Sequence, residues 1–254
     1  MQNIEIKHVE QISILKINRE KQLNSLNQGV INDLISALST ENKNKNIKCV
    51  IITGSGEKAF VAGADIKEFY KYNKEEGSKM ARENQNKLFN LIENFTKPVI
   101  AMINGYALGG GLELALSCHI RIGSHNSIYG FPEVKLGLIP GYGGTQRISN
   151  IIGRGKACEM IFSAKMIKSE EAYRIKLINE LYTQEELYQK TIELAKTISQ
   201  NSSQAIKRAI KSINSSYEMK GAETEIQEFG ECFQTEDFKE GVSAFLEKRK
   251  PKFK

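Results

Sequence analysis

The chain has 254 residues and a formal net charge of +6; 40% of its residues are hydrophobic and 26% are charged. This ordinary globular composition excludes a collagen-like, disordered or coiled-coil chain. No apolar run approaches the ~20 residues of a membrane-spanning helix, and the N-terminus lacks the basic and apolar parts of a signal peptide, so we expect a cytoplasmic protein. The four cysteines are far apart and none of the three histidines has metal-ligand spacing, so we expect neither a disulfide framework nor a metal site.

The first two thirds of the chain predict strands that alternate with helices. Apolar and polar residues alternate at 4–7 and 12–17, which indicates strands, and apolar residues recur at helical spacing through 30–38. Further on, the pattern predicts strands at 49–53, 99–103 and 120–122, a helix over 78–95 and a helix after Gly109-Gly110-Gly111. Short buried strands between helices favour parallel pairing, so we expect an α/β fold.

The pattern changes at about residue 184, after which no strand is predicted. Four segments have helical spacing of apolar residues: 184–199, 202–214, 222–233 and 236–248. We therefore divide the chain into a catalytic core, residues 1–197, and a helical C-terminal region, residues 198–254.

Three consecutive glycines, Gly109 to Gly111, precede a predicted helix. The first turn of a helix leaves backbone N–H groups without partners, and glycine lets a ligand approach them closely. Such a turn can bind an anion or a developing oxyanion. Glu113 lies one turn beyond Gly110, so a hydrogen-bond donor and a carboxylate would face one pocket. The alternative is tight helix packing, with Glu113 as an exposed surface acid.

Two other glycine-rich segments suggest similar chemistry, and none of the three matches a nucleotide-binding fingerprint. In one, the chain turns through Gly63, which would expose the N–H of Ala64 at a helix start; Asp65 could also be an ordinary helix cap there. In the other, Glu133 follows Phe131-Pro132, and apolar surroundings would raise its pKa, as suits a general acid or base. The alternative for Glu133 is an ordinary loop acid.

Taken in order, these segments resemble the enoyl-CoA hydratase (crotonase) family over essentially the whole chain. The motifs that carry the resemblance are Ile17-Asn18-Arg19 with Leu23-Asn24-Ser25-Leu26, Phe60 to Glu68, Gly105 to Glu113, and Phe131 to Arg147. The resemblance implies a spiral of ββα repeats with a C-terminal helical trimerisation region, assembled as a trimer or as a hexamer of two trimers. It implies a coenzyme A thioester as substrate, with no separate cofactor. From the charge and hydropathy patterns we expect neither nucleic acid nor a membrane as a partner.

The resemblance also assigns roles to four residues. The backbone N–H groups of Ala64 and Gly110 would hold the thioester oxygen. Glu113 would act as the base while water adds to the β-carbon, and Glu133 would supply the proton to the α-carbon. A helix start favours an ionised Glu113, and apolar neighbours favour a protonated Glu133. Other family members typically lack one or both glutamates, so the pair predicts an enoyl-CoA hydratase of fatty-acid β-oxidation, or the reverse dehydration of short-chain 3-hydroxyacyl-CoA.

Residues 248–254 carry five positive charges and no acid, which indicates either a solvated terminus or an anion-binding tail. The resemblance implies that this tail reaches coenzyme A on a neighbouring subunit. The substrate-binding residues that it implies are Ala62, Ala64, Asp65, Ile66, Lys67, Gly110, Phe245 and Lys248. Two positions depart from the family's pattern, Glu20 in place of proline and His119 in place of aspartate, and neither is catalytic.

Three other functions remain open at this stage. An isomerase of the same fold would move the double bond without adding water. An RNA-binding protein would fit the positive charge, but the surplus lies in one short tail and the chain has no tryptophan and no aromatic-rich stacking motif. A catalytically silent assembly protein would not need the pair of glutamates.

Overall fold

The computed structural model of the protein describes residues 1–217 and 221–253. Within these residues, alternating and apolar segments form the strands β1 (Ile4–Val9), β2 (Ile12–Ile17), β3 (Cys49–Gly54), β4 (Ala59–Val61), β5 (Val99–Ile103), β6 (Tyr106–Leu108), β7 (Ile120–Ser124), β8 (Ile128–Gly130), β9 (Ile167–Lys168) and β10 (Glu180–Tyr182). The strands predicted at 49–53, 99–103 and 120–122 are therefore confirmed as β3, β5 and β7.

The helices of the described residues are α1 (Gln28–Lys43), α2 (Lys74–Asn84), α3 (Asn90–Glu93), α4 (Gly110–Ser117), α5 (Gly144–Ile152), α6 (Arg154–Ser163), α7 (Ser169–Arg174), α8 (Gln184–Ser199), α9 (Ser203–Asn214), α10 (Gly221–Cys232) and α11 (Glu236–Leu246). The helix predicted over 78–95 is α2 and α3 joined by a π-helical turn at Gln85–Phe89. None of the helices described is both long and apolar enough to cross a membrane.

The strands form two sheets. The larger has the order β1-β2-β3-β5-β7-β10 and is parallel except for β1, which pairs antiparallel with β2. The smaller has the order β4-β6-β8-β9, and only β9 is antiparallel. Each of the pairs β3/β4, β5/β6 and β7/β8 places its first strand in the larger sheet and its second in the smaller, and a helical segment follows. This is the predicted spiral of ββα repeats.

Apolar side chains cover both faces of the larger sheet, as expected for parallel strands. One face packs against α1, α4 and the smaller sheet around Leu34, Phe60 and Leu112. The other face packs against α8 through Leu187, Ile192 and other side chains. Because α8 covers the sheet, the boundary predicted after residue 197 lies in the last turn of a helix that packs on the core. The division of the chain into two regions stays a prediction.

Candidate active site

A cavity of about 720 Å³ lies where the turns after β4 and β6 approach α2 and the loop before α5. The two glutamates and the two backbone positions identified in the sequence, Glu113, Glu133, Ala64 and Gly110, all line it. Much of the remaining wall is apolar, with Ile66, Phe69, Met80, Leu136, Leu138 and Ile139. A cavity of this size with a few convergent polar groups is typical of a small-molecule site.

The turn at Ala64 presents a backbone amide to this cavity. Gly63 has a φ of +127°, and the amides on either side of Ala64 are held: Leu26 N donates to Gly63 O, and Asp65 N donates to Leu26 O. Gly110 begins α4, where an N–H has no acceptor within the helix. A Cβ on Gly110 would lie 3.4 Å from the N of Ala64, so the two amides are close together. In the described part of the chain, neither amide donates a hydrogen bond outside regular secondary structure.

Glu113 is buried in the first turn of α4, and its carboxylate is hydrogen-bonded by the loop that leads into α5. Oε1 accepts hydrogen bonds from the amides of Tyr142 (2.7 Å) and Gly144 (2.8 Å). Burial raises the pKa of Glu113 to about 7, against the lowering effect of these two hydrogen bonds. The alternative of an exposed surface acid is therefore wrong, because the side chain is 2% exposed. The helix start does not keep its pKa low, since burial outweighs it.

Glu133 reaches the same cavity from the 3₁₀ turn Glu133–Leu136, which follows β8. Its Oε1 lies over the backbone of Gly109, where an added Cβ would be only 2.6 Å away and φ is +50°. Its Oε2 is buried and has no hydrogen-bond partner among the described residues. Burial raises the pKa of Glu133 to about 7, as its apolar neighbours predicted. Glu133 is therefore part of the cavity and is not an ordinary loop acid.

The remaining predicted substrate-binding residues divide into two groups. Ala62 and Ile66 line the cavity, whereas Asp65, Lys67 and Lys248 are not among its lining residues. Phe245 belongs to α11, and its side chain lies outside the part that the structure describes. Contacts of these residues with coenzyme A stay predictions.

The side chain of Asp65 does not cap a helix, which was one of the two interpretations made from the sequence. It precedes the 3₁₀ turn Ile66–Glu68, but its side chain makes no capping hydrogen bond. Its Oδ2 instead accepts a hydrogen bond from Nη2 of Arg19 at 3.2 Å. This half-buried ion pair ties the turn after β4 to the loop after β2.

Neither the backbone of the 142–144 loop nor Arg147 had a role predicted from the sequence. Arg147 Nη1 donates to the carbonyl of Tyr142 at 2.9 Å, while Nε and Nη2 donate to the two carboxylate oxygens of Glu93 at 3.2 and 2.7 Å. No local pattern reveals this contact, because Glu93 and Arg147 are 54 residues apart. The sequence signals are its place at the end of the Phe131 to Arg147 motif and its position among the apolar residues of α5.

His119 also contacts Glu93, through the backbone. Nδ1 accepts the amide hydrogen of Val99 at 2.9 Å, and Nε2 lies 3.1 Å from the carbonyl oxygen of Glu93, to which it donates. Burial lowers the pKa of His119, which favours this neutral form. The departure from the family's aspartate is therefore accommodated by a partly buried histidine with both ring nitrogens hydrogen-bonded.

Comparisons with known proteins show which family the chain belongs to. Residues 7–254 match the family Enoyl-CoA hydratase/isomerase. The chain is 42% identical to the short-chain-enoyl-CoA hydratase of Clostridium acetobutylicum, over 98% of this chain and 97% of that protein. It is 40% identical to the crotonyl-CoA hydratase of Syntrophomonas wolfei, over 99% and 98%. A crystal structure of enoyl-CoA hydratase from Bacillus anthracis superposes with a TM-score of 0.92 at 37% identity, over 100% of this chain and 99% of that one.

The chain belongs to the enoyl-CoA hydratase/isomerase family. Its fold is the crotonase spiral with C-terminal helices, since a solved enoyl-CoA hydratase matches it from end to end.

Proposed function

We propose that this protein is an enoyl-CoA hydratase, a hydro-lyase that adds water reversibly to a trans-2-enoyl-CoA and gives a 3-hydroxyacyl-CoA. The observation that carries the proposal is the meeting of a buried carboxyl group, Glu113, and a partly buried one, Glu133, with the amides of Ala64 and Gly110 in one cavity. The matched relatives are named as hydratases of short-chain enoyl-CoA and of crotonyl-CoA, which favours a short acyl chain.

The two amides bind the thioester oxygen. As water attacks the β-carbon, the electrons of the double bond move toward the thioester, and negative charge develops on that oxygen. Two backbone donors fixed in place stabilise this charge without reorganising, and one such donor is typically worth ~3–4 kcal/mol in the transition state. A Cβ on Gly110 would lie 3.4 Å from the N of Ala64, so the two amides are close enough together to bind one oxygen atom.

The two carboxyl groups handle the protons. Ionised Glu113 takes a proton from the water as its oxygen bonds to the β-carbon, and protonated Glu133 gives its proton to the α-carbon. Dehydration runs the same steps in reverse. After one addition the proton gained by Glu113 returns to Glu133 before the next. The charge of Glu133 raises the pKa of Glu113, which supports a direct electrostatic coupling between them.

The reaction as proposed exchanges only water and protons, so these residues supply its chemistry without a separate cofactor. An isomerase of the same fold would need a single proton to move between two carbons. The names of the matched relatives favour hydration over that reaction. We also propose a reducing, cytoplasmic compartment, in keeping with the buried free thiols of Cys49 and Cys118.

The assembly that we propose is a homotrimer or a pair of trimers built through the C-terminal helices. On α10, Ile226 and Phe229 are 71% and 65% exposed, and Leu246 at the end of α11 is 73% exposed. Large apolar side chains concentrated in one region favour contact with another protein surface.

The direct test of the proposed function is turnover of crotonyl-CoA. The wild type should consume the absorbance of the conjugated thioester and yield 3-hydroxybutyryl-CoA. Glu113→Gln and Glu133→Gln should each lower kcat by about 10² to 10⁴-fold, the range of general acid–base catalysis. Glu185→Gln removes an exposed carboxylate from the first turn of α8 and should leave turnover unchanged. A folded wild type that leaves crotonyl-CoA intact but moves a β,γ double bond into conjugation would identify an isomerase instead.

A further inference from the structure

Arg147 lies behind the site and contacts the loop that binds Glu113. It is buried, with 8% of its surface exposed, and its guanidinium is fully engaged on one side by Glu93 and by Asn90 Oδ1 at 2.9 Å. From its other side, Nη1 donates to the carbonyl of Tyr142. A planar guanidinium bound by two carboxylate oxygens is fixed in orientation as well as in position.

The carbonyl that Arg147 holds lies between the two amides that bind Glu113. Tyr142 N belongs to the peptide before it, and Gly144 N belongs to the peptide after it. Gly143 between them has a φ of +92°, and a Cβ there would overlap the guanidinium. The arginine therefore fills the space under the loop, and without it this glycine-rich segment has room to move away from the carboxylate.

We propose that Arg147 is a positioning residue for Glu113: clamped by Glu93, it holds the 142–144 loop in the shape that aims two amides at the carboxylate. The inference rests on the proposed hydratase function, because it assigns Glu113 a role in turnover. Arg147 itself does not line the 720 Å³ cavity, so it acts through the loop and not on the substrate.

The positive charge of Arg147 also acts on the pKa of Glu113, which provides a second way to test this role. The charged and titratable groups that act on Glu113 are Glu133, which raises its pKa, and Arg147, which lowers it; the phenol of Tyr142 is also adjacent. Loss of the guanidinium removes one lowering charge, and a loosened loop also weakens two lowering hydrogen bonds. Both effects move the titration of the base to higher pH.

The test compares Arg147→Met with wild type on crotonyl-CoA across pH. We expect kcat to fall about 100-fold, as a small misplacement of a catalytic group can cause, while KM changes less than about threefold. The acid limb of the pH profile should move to higher pH. In Arg147→Lys the acid limb should lie close to its wild-type pH, because the positive charge remains. Its kcat should stay below that of wild type, because lysine lacks the planar set of N–H donors of the guanidinium.

Arg121 is a matched control, because it is 7% exposed and also donates to backbone carbonyls, those of Leu177 and Cys118. Arg121→Met should lower the melting temperature yet keep kcat and the pH profile of the folded enzyme. If Arg121→Met changes the profile as Arg147→Met does, or if folded Arg147→Met keeps wild-type kcat and limb, the positioning role is wrong.

Glu93→Gln decides the question should Arg147→Met fail to fold. It leaves the arginine in place but weakens the clamp, and we expect about a tenfold loss of kcat with little change in KM. Unchanged kcat in Glu93→Gln would overturn the proposal. An inactive wild type would instead refute the proposed function, so the two failures are distinguishable.

Discussion

Oε1 of Glu113 accepts hydrogen bonds from two backbone amides, whereas Oε2 of Glu133 is buried with no partner among the described residues. Donors directed at a carboxylate stabilise its ionised form, and burial without donors stabilises the protonated form. Burial raises the pKa of each to about 7; two backbone hydrogen bonds oppose the rise at Glu113, whereas at Glu133 one hydrogen bond from its own backbone amide opposes it. This asymmetry supports Glu113 as the base and Glu133 as the acid.

The two raised pKa values predict a bell-shaped dependence of kcat/KM on pH. As the pH falls below about 7, Glu113 takes up a proton and the base is lost; as the pH rises above about 7, Glu133 loses the proton that it must donate. We therefore expect a maximum near pH 7, measured with crotonyl-CoA in buffers of constant ionic strength. Because the two groups are coupled, the apparent pKa of each limb also depends on the charge of the other carboxyl group.

The residual activity of Glu133→Gln is the control for this assignment. Because glutamine does not titrate, the alkaline limb should disappear while the acid limb remains. A profile that stays flat from about pH 5.5 to about 8.5 in the wild type would contradict the involvement of both groups.

For single residues, the sequence predicted which side chains belong to the candidate site but not the hydrogen bonds and burial that set the pKa of each. Glu113 and Glu133 could be identified as residues of a motif. The amides that bind Glu113 come from residues 29 and 31 positions later in the chain, and no periodicity connects them. Their effect on the carboxyl pKa depends on the fold, as does the burial that opposes them.

The glycine run that opens α4 shows how one element serves packing and chemistry together. A Cβ on Gly111 would overlap the carbonyl of Val61, so this glycine is required by the contact between α4 and β4. Close helix packing, one of the two interpretations made from the sequence, is therefore confirmed for Gly111, whereas binding of an oxyanion by the amide of Gly110 stays a prediction.

Gly110 differs from Gly111 because its Cβ would meet only ordinary contacts, at 3.4 to 3.6 Å from Ala64, Leu26 and Tyr142. Gly110→Ala should therefore fold with a melting temperature close to that of wild type. The added methyl group would occupy the space between the two amides, so kcat/KM for crotonyl-CoA should fall about 100-fold, the loss typical of one oxyanion donor.

Gly155→Ala is the matched control for this change. It lies in the first turn of α6, where an added Cβ meets nothing within 4 Å, and alanine is the better helix former. It should leave kcat/KM unchanged. If Gly110→Ala retained full activity with an unchanged melting curve, the amide of Gly110 would not bind the thioester oxygen.

The π-helical turn between α2 and α3 is a feature that helical spacing in the sequence did not predict. A π-helical turn bonds each N–H to the carbonyl five residues back, one residue more than in an α-helix. Beside this turn, Phe89 stacks on Tyr142 at 4.8 Å, and Asn84 donates to the Tyr142 hydroxyl at 3.4 Å. The loop that binds Glu113 is therefore also supported from this helix.

At the scale of the whole molecule, α9 contacts the core beside Glu93. Asn214 at the end of α9 donates from Nδ2 to Asn94 at 3.3 Å and to the carbonyl of Glu93 at 2.6 Å. Helical spacing predicted these helices almost to the residue, because each has a regular apolar pattern. It did not predict their partner, since the exposed face of α10, with Ile226 and Phe229, resembles any core-facing helix in sequence.

The basic tail is partly organised by its own helix. Arg249 pairs with Glu240 at 2.6 Å and with Glu247 at 2.7 Å, and the amide of Lys252 donates to Glu240. These contacts fold the tail back along α11 and neutralise the charge of one of its five basic residues. An extended, fully solvated terminus would not make them, so the described part of the tail, residues 248–253, has a defined direction.

Removal of residues 248–254 tests whether this tail binds the substrate of a neighbouring subunit. Phosphate groups of coenzyme A are bound equally in the ground state and the transition state, so KM should rise about tenfold while kcat changes little. The difference in KM between the truncated chain and wild type should shrink at high salt, because salt also screens the ionic attraction in the wild type. Replacement of both Lys43 and Lys45 by alanine lowers the net charge at the end of α1 and should leave KM unchanged. Sedimentation of each variant separates the proposed role of the tail from the proposed trimer. If the truncated chain remains a trimer and its KM is unchanged, the tail has no role in binding. If the wild type sediments as a monomer, there is no neighbouring subunit for the tail to reach.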